Sequence, residues 1–430
     1  MRQRVREIFD HALAECSIPR ALTQKLKVNG RYLEAEDTVY DLGAFGRILA
    51  ISIGKAGYSL AENFAGLAPT ELEGIIAAPG APPAELPGFA YFSGGHPLPN
   101  EDSLRAGDAI LQLFQELSAE TLVVFLISGG ASAIAEKPIR AEIGLSDVVQ
   151  TYRALVHSGA PIAEINAIRK HLSALKGGRL ARAAMPSYQL SILVSDVPEN
   201  ALDALASGPT MPDTTTVKDC HEIVRRYQLL EQLPPPVRSI FESGQLRETP
   251  KIGDAAFVRS HYVTVLSNAT AVHAAVESAA LAGFAVEFDN SCDDWDYQRA
   301  ADHLLGRLRE LRQGVSRACI ISGGEVTVKV AAESGVGGRN QQFALYCAQQ
   351  IAGENITVLS GGTDGVDGNS DAAGAIADGS TAERARRQGF DAARSLARFD
   401  SYPLFQGIGD AIVTGPTGNN VRDLRILLAY

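Results

Sequence analysis

The chain has 430 residues, of which 46% are hydrophobic and 21% are charged, and this length and composition are typical of a globular protein with two or three domains. Its formal net charge of -11 argues against binding to nucleic acid or to an anionic membrane. Because the five cysteines include no CxxC pair, no apolar run approaches the roughly 20 residues of a membrane span and no signal peptide is recognisable, we expect a cytoplasmic protein without disulfides or structural zinc.

Short apolar runs alternate with helical patterns along most of the chain. Residues 1–17 carry apolar side chains at helical spacing and predict a surface helix. Later β-branched runs each end in glycine or small polar residues, which predicts an α/β fold with a largely parallel sheet covered on both faces. These predicted strands are 47–53, 121–127, 189–194, 262–266, 318–321 and 356–359. In such sheets ligands bind beyond the carboxyl ends of the strands.

Proline-rich segments indicate where the chain divides. Residues 233–236 are stiff and residues 248–251 have loop composition, so we expect domains at 1–245 and 246–430. A further Pro/Gly-rich stretch at 79–99 predicts a surface excursion near the functional site.

Two glycine-rich strand ends in the first half predict anion binding. Gly54-Lys55 precedes a predicted helix, and a lysine opposes the dipole of a helix N-terminus unless an anion is present. Ser128-Gly129-Gly130-Ala131-Ser132 predicts a cradle of backbone N–H groups and two hydroxyls. The alternatives are a solvated lysine and a plain strand-to-helix turn. Ser-Gly-Gly follows a predicted strand again at 322–324 and 360–362, which suggests that the same kind of anion-binding turn occurs three times.

The second half places a cation and carboxylates in similar positions. Gly337-Gly338-Arg339 precedes a predicted helix at 342–351, and a guanidinium matches phosphate or carboxylate bidentately. A dinucleotide fingerprint is a weak alternative here, because residues 331–334 before the glycines do not form a predicted strand. Asp196 and Asp364 follow predicted strands, where they are suited to hold Mg²⁺ or orient a hydroxyl, or else belong to solvated turns.

Taken together and in this order, these motifs resemble the class II glycerate 2-kinases, a family also labelled hydroxypyruvate reductase or MOFRL. The resemblance extends over nearly the whole chain. The matching segments are 53–56, 94–99, 128–133, 165–173, 176–178, 206–210, 322–325, 337–341, 361–365, 371–375 and 414–418.

The resemblance implies transfer of a phosphoryl group from ATP to the 2-hydroxyl of D-glycerate, with Mg²⁺, giving 2-phosphoglycerate and ADP. It also implies a larger N-terminal Rossmann-like domain with a doubly wound parallel sheet, a smaller C-terminal α/β domain with a mixed sheet, and a site in the cleft. By motif, Lys55 and Arg339 would be the catalytic cations. Phosphate or nucleotide would bind at Gly54, Ser128, Gly129, Gly130, Ser132, Gly337 and Gly338. Substrate would be positioned by Asp196, Glu325 and Asp364, with Asp196 and Asp364 as the metal ligands.

Departures from the family pattern leave alternatives open. Glu199-Asn200 stands where the family usually has Gly-Asp, and Asn419 where it usually has Thr, so a related small hydroxy acid is an alternative substrate. An NAD(P)H-dependent hydroxypyruvate reductase and a non-catalytic anion-binding protein are alternative functions. The motifs are compatible with either phosphoglycerate isomer, with more than one nucleotide and with a homodimer.

Overall fold

The computed structural model describes residues 1–330 and 334–430, apart from the side chain of Glu199. Residues 331–333, which the dinucleotide-fingerprint alternative uses, lie outside the described residues. The chain forms two compact units. We call Ala21–Val265 the N-terminal unit, and Met1–Arg20 together with Leu266–Tyr430 the C-terminal unit.

Helices and strands alternate in both units. The helices of the described residues are α1 (Arg2–Glu15), α2 (Ile18–Lys25), α3 (Gly57–Leu67), α4 (Glu101–Leu113), α5 (Ala131–Ile134), α6 (Leu145–His157), α7 (Ile162–Leu172), α8 (Arg179–Ala183), α9 (Val217–Arg226), α10 (Pro235–Glu242), α11 (Asn268–Leu281), α12 (Tyr297–Gly314), α13 (Arg339–Gln350), α14 (Thr381–Arg387), α15 (Ala392–Ala397) and α16 (Ser401–Gly407). The strands are β1 (Leu26–Asn29), β2 (Tyr32–Ala35), β3 (Thr38–Asp41), β4 (Arg47–Ile53), β5 (Glu73–Ala78), β6 (Phe89–Ser93), β7 (Thr121–Ile127), β8 (Tyr188–Val194), β9 (Ser260–Leu266), β10 (Ala285–Phe288), β11 (Ala318–Gly323), β12 (Ile356–Gly362), β13 (Gly374–Asp378), β14 (Ala411–Ile412) and β15 (Asp423–Ala429).

The main sheet of the N-terminal unit has the strand order β6-β5-β4-β7-β8-β9. Strands β6, β5, β4, β7 and β8 pair in parallel. Every residue of β7 is buried, as expected for a central parallel strand with helices on both faces. The chain order reverses between β4 and β7, and this is the switch point where α/β sheets bind ligands. The predicted Rossmann-like parallel sheet is confirmed.

The C-terminal unit contains a mixed sheet of order β10-β11-β15-β12-β13-β14. Strands β10 and β11 pair in parallel, whereas β15 runs antiparallel to both β11 and β12. The predicted mixed α/β sheet is therefore also confirmed. In the N-terminal unit, strands β1 to β3 form a separate antiparallel sheet.

The two units divide the chain differently from the predicted boundaries of 1–245 and 246–430. Helix α1 belongs to the C-terminal unit, because its apolar face packs against α11 and the mixed sheet. The buried face consists of Val5, Ile8, Phe9 and Ala12. The helix predicted at 1–17 is present, but one face of it forms core rather than surface.

Three local expectations change once the strands are seen. The Ser-Gly-Gly residues at 360–362 lie inside β12, and Ser322 and Gly323 lie inside β11, so only the triplet at 128–130 follows its strand as a complete turn. A Cβ on Gly361 would lie 2.8 Å from the Phe9 ring, so this glycine makes room for α1. The stretch 79–99 contains β6, a strand of the sheet, and is not only a surface excursion.

Candidate functional site

Two backbone turns meet at the switch point of the N-terminal unit. The N–H of Lys55, after β4, donates to the carbonyl oxygen of Gly129, after β7, at 2.9 Å. The N–H of Ala56 donates to the Oγ of Ser128 at 3.0 Å. The predicted lysine turn and the predicted Ser-Gly-Gly turn therefore form one structure, and the buried Ser128 hydroxyl serves to join them.

Glycine is required in this structure because the surrounding atoms leave no space for a Cβ. At Gly54, where φ is +133°, a Cβ would lie 2.2 Å from the Ser128 Oγ. At Gly130, where φ is +82°, a Cβ would lie 3.0 Å from the His96 Cδ2 and 3.1 Å from the Lys55 Cγ. Backbone amides, an imidazole and an exposed lysine are thus brought side by side.

A carboxylate borders the same turn. A Cβ built on Gly129 would lie 1.9 Å from an Asp196 carboxylate oxygen, so the end of β8 brings Asp196 against the backbone of the turn. The N–H groups of Gly129 and Gly130 donate to no backbone carbonyl oxygen of the described residues. We call Lys55, Ser128, Gly129, Gly130 and Asp196 the switch-point cluster. Its amides and lysine suit an anion, and its carboxylate suits a cation or a hydroxyl.

His96 lies beside the switch-point cluster, where its Cδ2 is 3.0 Å from the position of a Cβ built on Gly130. Burial lowers the pKa of His96, and the charge of Lys55 lowers it further. The imidazole is therefore predominantly neutral near pH 7 and is suited to donate or accept a hydrogen bond there. His96 follows β6 as Lys55 follows β4, so recognising β6 as a strand of the same sheet would have placed both residues at one sheet edge.

Ser132 is linked to residues that the sequence did not single out as site residues. Its Oγ lies 2.8 Å from the Oγ of Ser207, which in turn lies 3.4 Å from the Oδ1 of Asn166 on α7. Ala206 and Ser207 both have positive φ, +54° and +59°. Non-glycine residues seldom adopt this conformation, and such strain concentrates at functional sites. In the sequence, the small residues, glycine and proline of 206–210 indicated a turn that could belong to the site.

Arg339, at the start of α13 in the C-terminal unit, is engaged by two carboxylates. Its guanidinium contacts Asp423 at 2.6 Å and Glu325 at 2.8 Å. Burial lowers the pKa of Arg339, but the charge and hydrogen bond of Asp423 and the charge of Glu325 outweigh it, and the pKa lies above its ordinary value. The structure therefore brings the predicted residues Arg339 and Glu325 together.

The first turn of α13 already has an anionic partner within the chain. The N–H groups of Asn340 and Gln341 donate to the two carboxylate oxygens of Asp367 at 3.0 and 2.8 Å. Burial raises the pKa of Asp367 to about 6, and these two hydrogen bonds oppose the rise. The N–H of Gly337 donates to the side chain of Asn369 at 2.9 Å. The predicted anion-binding glycines here thus face acceptors from the loop after β12.

Asp364 lies in that loop, where its carboxylate accepts the N–H of Val366 at 3.1 Å. Its backbone oxygen accepts the N–H of Thr417 at 3.1 Å. Asp196 belongs to the N-terminal unit and Asp364 to the C-terminal unit.

Asp196 and Asp364 are the carboxylates expected to hold Mg²⁺. Among the described residues no group of three His, Cys, Asp or Glu side chains is arranged to hold a metal ion. Mg²⁺ often uses only one or two carboxylates together with substrate phosphates. Asp196 fits that donor set, because its carboxylate adjoins amides suited to a phosphate.

No helix in the described part of the chain is long and apolar enough to cross a membrane.

Comparison with known proteins gives consistent matches over the chain. A family model described as a domain of unknown function, DUF4147, matches residues 4–242, and the MOFRL family model matches residues 318–423. A protein of Agrobacterium vitis provisionally named a hydroxypyruvate reductase is 35% identical, over 99% of this chain and 94% of its own length.

A further curated relative and a solved structure carry kinase names. The D-glycerate 2-kinase of Thermotoga maritima is 34% identical, over 88% of this chain and 90% of its own length. The crystal structure of glycerate kinase from Thermotoga maritima aligns with a TM-score of 0.87 at 30% identity, covering 100% of this chain and 99% of that one.

Proposed function

The chain belongs to the class II glycerate kinase family, and on that premise we propose that it transfers the γ-phosphoryl group of ATP to the 2-hydroxyl of D-glycerate. The observation that carries the proposal is the switch-point cluster. The backbone N–H groups of Gly129 and Gly130, which donate to no backbone carbonyl oxygen of the described residues, adjoin the exposed cation Lys55 at the carboxyl edge of a parallel sheet.

In this reaction the 2-hydroxyl oxygen bonds to the γ-phosphorus while the bond from that phosphorus to the bridging oxygen of ADP breaks. Catalysis of such a transfer consists mainly of positioning and of neutralising phosphoryl charge. Lys55 and the two amides would bind the phosphoryl oxygens. Asp196 would orient the hydroxyl and receive its proton, or hold Mg²⁺. Bound Mg²⁺ would supply further neutralisation of phosphate charge.

Arg339 is the second catalytic cation of the proposal. Its ion pairs with Asp423 and Glu325 hold the guanidinium in one orientation, as pre-organised charge stabilisation requires. Glu325 then positions Arg339, and Asp364 is a further candidate for holding substrate or metal. Gly337 and Gly338, which precede α13, are the proposed nucleotide contacts of the C-terminal unit by family resemblance, and the N–H of Gly337 would have to exchange Asn369 for the nucleotide.

A second candidate function follows from the name of the Agrobacterium vitis relative, which is that of a hydroxypyruvate reductase. A reductase would bind NAD(P)H and transfer hydride to hydroxypyruvate. The glycines around 337 make a poor dinucleotide turn, since the N–H groups at the start of α13 are used by Asp367.

The deciding experiment incubates the purified protein with ATP, Mg²⁺ and D-glycerate and follows ADP. Products are separated by chromatography that resolves 2- from 3-phosphoglycerate. We expect 2-phosphoglycerate, and no oxidation of NADH or NADPH with hydroxypyruvate. Absence of ADP with glycerate and with related hydroxy acids, or rapid hydride transfer, would refute the proposal. Omitting Mg²⁺ should abolish turnover.

A further inference from the structure

Arg169, on α7 of the N-terminal unit, is a partly buried cation with no carboxylate partner among the described residues. Its Nε is buried and makes no hydrogen bond. The guanidinium carbon lies 4.3 Å from the centre of the Tyr152 ring, whose face holds the group in place. Removing a cation from water without a counter-ion is unfavourable. An anion from solution would therefore be stabilised at this position.

Glu136 is the acid whose charge acts on Arg169, but its carboxylate is already satisfied. It accepts hydrogen bonds from Lys176 and Tyr152, and from the Ser173 Oγ at 2.6 Å. Burial lowers the pKa of Arg169, and the charges of Tyr152 and Glu136 offset only part of that effect. Arg169 is consequently not needed to neutralise Glu136, and its own charge is incompletely balanced within the chain.

Polar side chains connect Arg169 to the switch-point cluster. Asn166 lies three positions earlier on α7, so its side chain and that of Arg169 occupy neighbouring positions on the helix surface. The Oδ1 of Asn166 lies 3.4 Å from the Ser207 Oγ, which lies 2.8 Å from the Ser132 Oγ. Ser132 is in α5, directly after the turn that contains Gly129 and Gly130. A chain of polar contacts thus runs from Asn166 on α7, through the buried Ser207, to Ser132 beside that turn.

The conformation of the segment before Pro209 supports a function for the chain of polar contacts from Asn166 to Ser132. Ala206 and Ser207 are held in the left-handed region, and the carbonyl oxygen of Ser207 accepts the N–H of Gly177 at 2.9 Å. This hydrogen bond fixes Ser207 so that its hydroxyl reaches both Ser132 and Asn166. The surrounding structure therefore maintains an unfavourable backbone in order to present one hydroxyl, as is common where ligands bind.

We propose that Arg169, Asn166, Ser132 and Ser207 form a subsite for the carboxylate of the hydroxy-acid substrate, with Arg169 determining specificity. The proposal rests on the proposed kinase function. A single planar guanidinium, with neutral amide and hydroxyl groups beside it and with Glu136 already bound by Lys176, Tyr152 and Ser173, matches a singly charged planar carboxylate. The amides of Gly129 and Gly130, together with Lys55, would then bind phosphate. The hydroxy acid and the phosphate of ATP would therefore contact different groups of the N-terminal unit.

The test compares Arg169→Gln and Arg169→Lys with the wild type in steady-state kinetics. Loss of a charge-assisted bidentate contact should raise KM for D-glycerate by about 100-fold in Arg169→Gln, and by less in Arg169→Lys. KM for ATP should change by less than about twofold. The preference of kcat/KM for glycerate over glycerol, which lacks the carboxylate, should collapse. Arg153→Gln, an exposed arginine on α6, is the matched control and should leave all values unchanged.

Calorimetric titration of the wild type and variants with D-glycerate in the absence of ATP separates this inference from the proposed function. Binding by the wild type that Arg169→Gln loses, without any turnover, would support the subsite and refute the kinase. Normal turnover with an unchanged KM for glycerate in Arg169→Gln would overturn the subsite and leave the kinase intact, as would a rise confined to KM for ATP. A wild type that neither binds nor phosphorylates glycerate would overturn both. If Arg169→Gln does not fold, Arg169→Lys decides by the same comparison.

Discussion

Lys55 and Arg339 were predicted as equivalent catalytic cations, but their surroundings differ. The Lys55 side chain is exposed and forms no ion pair with any described residue. The Arg339 side chain is 35% exposed and pairs with the buried Asp423. Removing each cation should therefore have separable effects on catalysis and on stability.

We expect Lys55→Ala to lower kcat by about 100- to 1,000-fold while Tm shifts by less than about 2 °C. Arg339→Ala should lower kcat and also destabilise the fold by about 2 kcal/mol, because Asp423 loses its counter-ion. That cost is below the value for a fully buried pair since Arg339 is partly solvated. Kinetics and thermal unfolding of both variants test this, with Lys218→Ala, an 83% exposed lysine on α9, as the control. Wild-type turnover in both would refute the assigned roles.

At the scale of elements, the start of α13 depends on a carboxylate that is difficult to ionise. The pKa of Asp367 rises from 3.8 to about 6 because of burial, although two N–H groups stabilise its charge. The folded state therefore holds the proton more tightly than the unfolded chain does. The stability that this group contributes is fully present below about pH 4 and is lost as the pH rises through about 6.

Replacing the carboxylate by an amide should remove this pH dependence. Relative to the wild type, Asp367→Asn should gain stability between pH 4 and pH 7, by on the order of 3 kcal/mol, less the loss of one N–H acceptor. Denaturant unfolding at several pH values measures the difference. Asp391→Asn, which alters an exposed cap of α15, controls for the loss of a cap. A difference that does not vary with pH would contradict the assignment.

At the scale of the whole molecule, the N-terminal helix contributes to the core of the C-terminal unit. Phe9 is fully buried and packs where Gly361 leaves room in β12. Its partners lie more than 250 positions away in the chain, so their contact reflects the tertiary fold rather than local sequence.

Phe9→Ala should therefore destabilise the C-terminal unit by about 3–5 kcal/mol through lost burial and the resulting cavity. Limited proteolysis under mild denaturation should produce the first cuts within residues 266–430. His11→Ala, on the exposed side of the same helix, is the control and should behave as the wild type. Unchanged unfolding of Phe9→Ala would mean that α1 is not integral to this core.

The sequence by itself determined the strands that carry the switch-point cluster, because each is a continuous β-branched run followed by glycine. Strands β4 and β7 have the predicted bounds. The family motifs also pointed to Lys55, Ser128 and Arg339, since their chemistry is visible in residue type and spacing. These features are local, and local patterns of hydrophobicity and turn composition are sufficient to reveal them.

Only the tertiary structure decided what each group contacts. It joined Lys55 to Gly129 across two strands, paired the N–H groups at the start of α13 with Asp367 and assigned α1 to the C-terminal unit. It also left Arg169 without a carboxylate partner in the part of the chain that the structure describes. Each of these depends on residues far apart in the chain whose proximity follows from sheet order and burial. Whether a charged side chain has a partner depends on neighbours in the fold, and these cannot be read from spacing along the sequence. The same is true of whether a glycine forms a turn or makes room for another side chain.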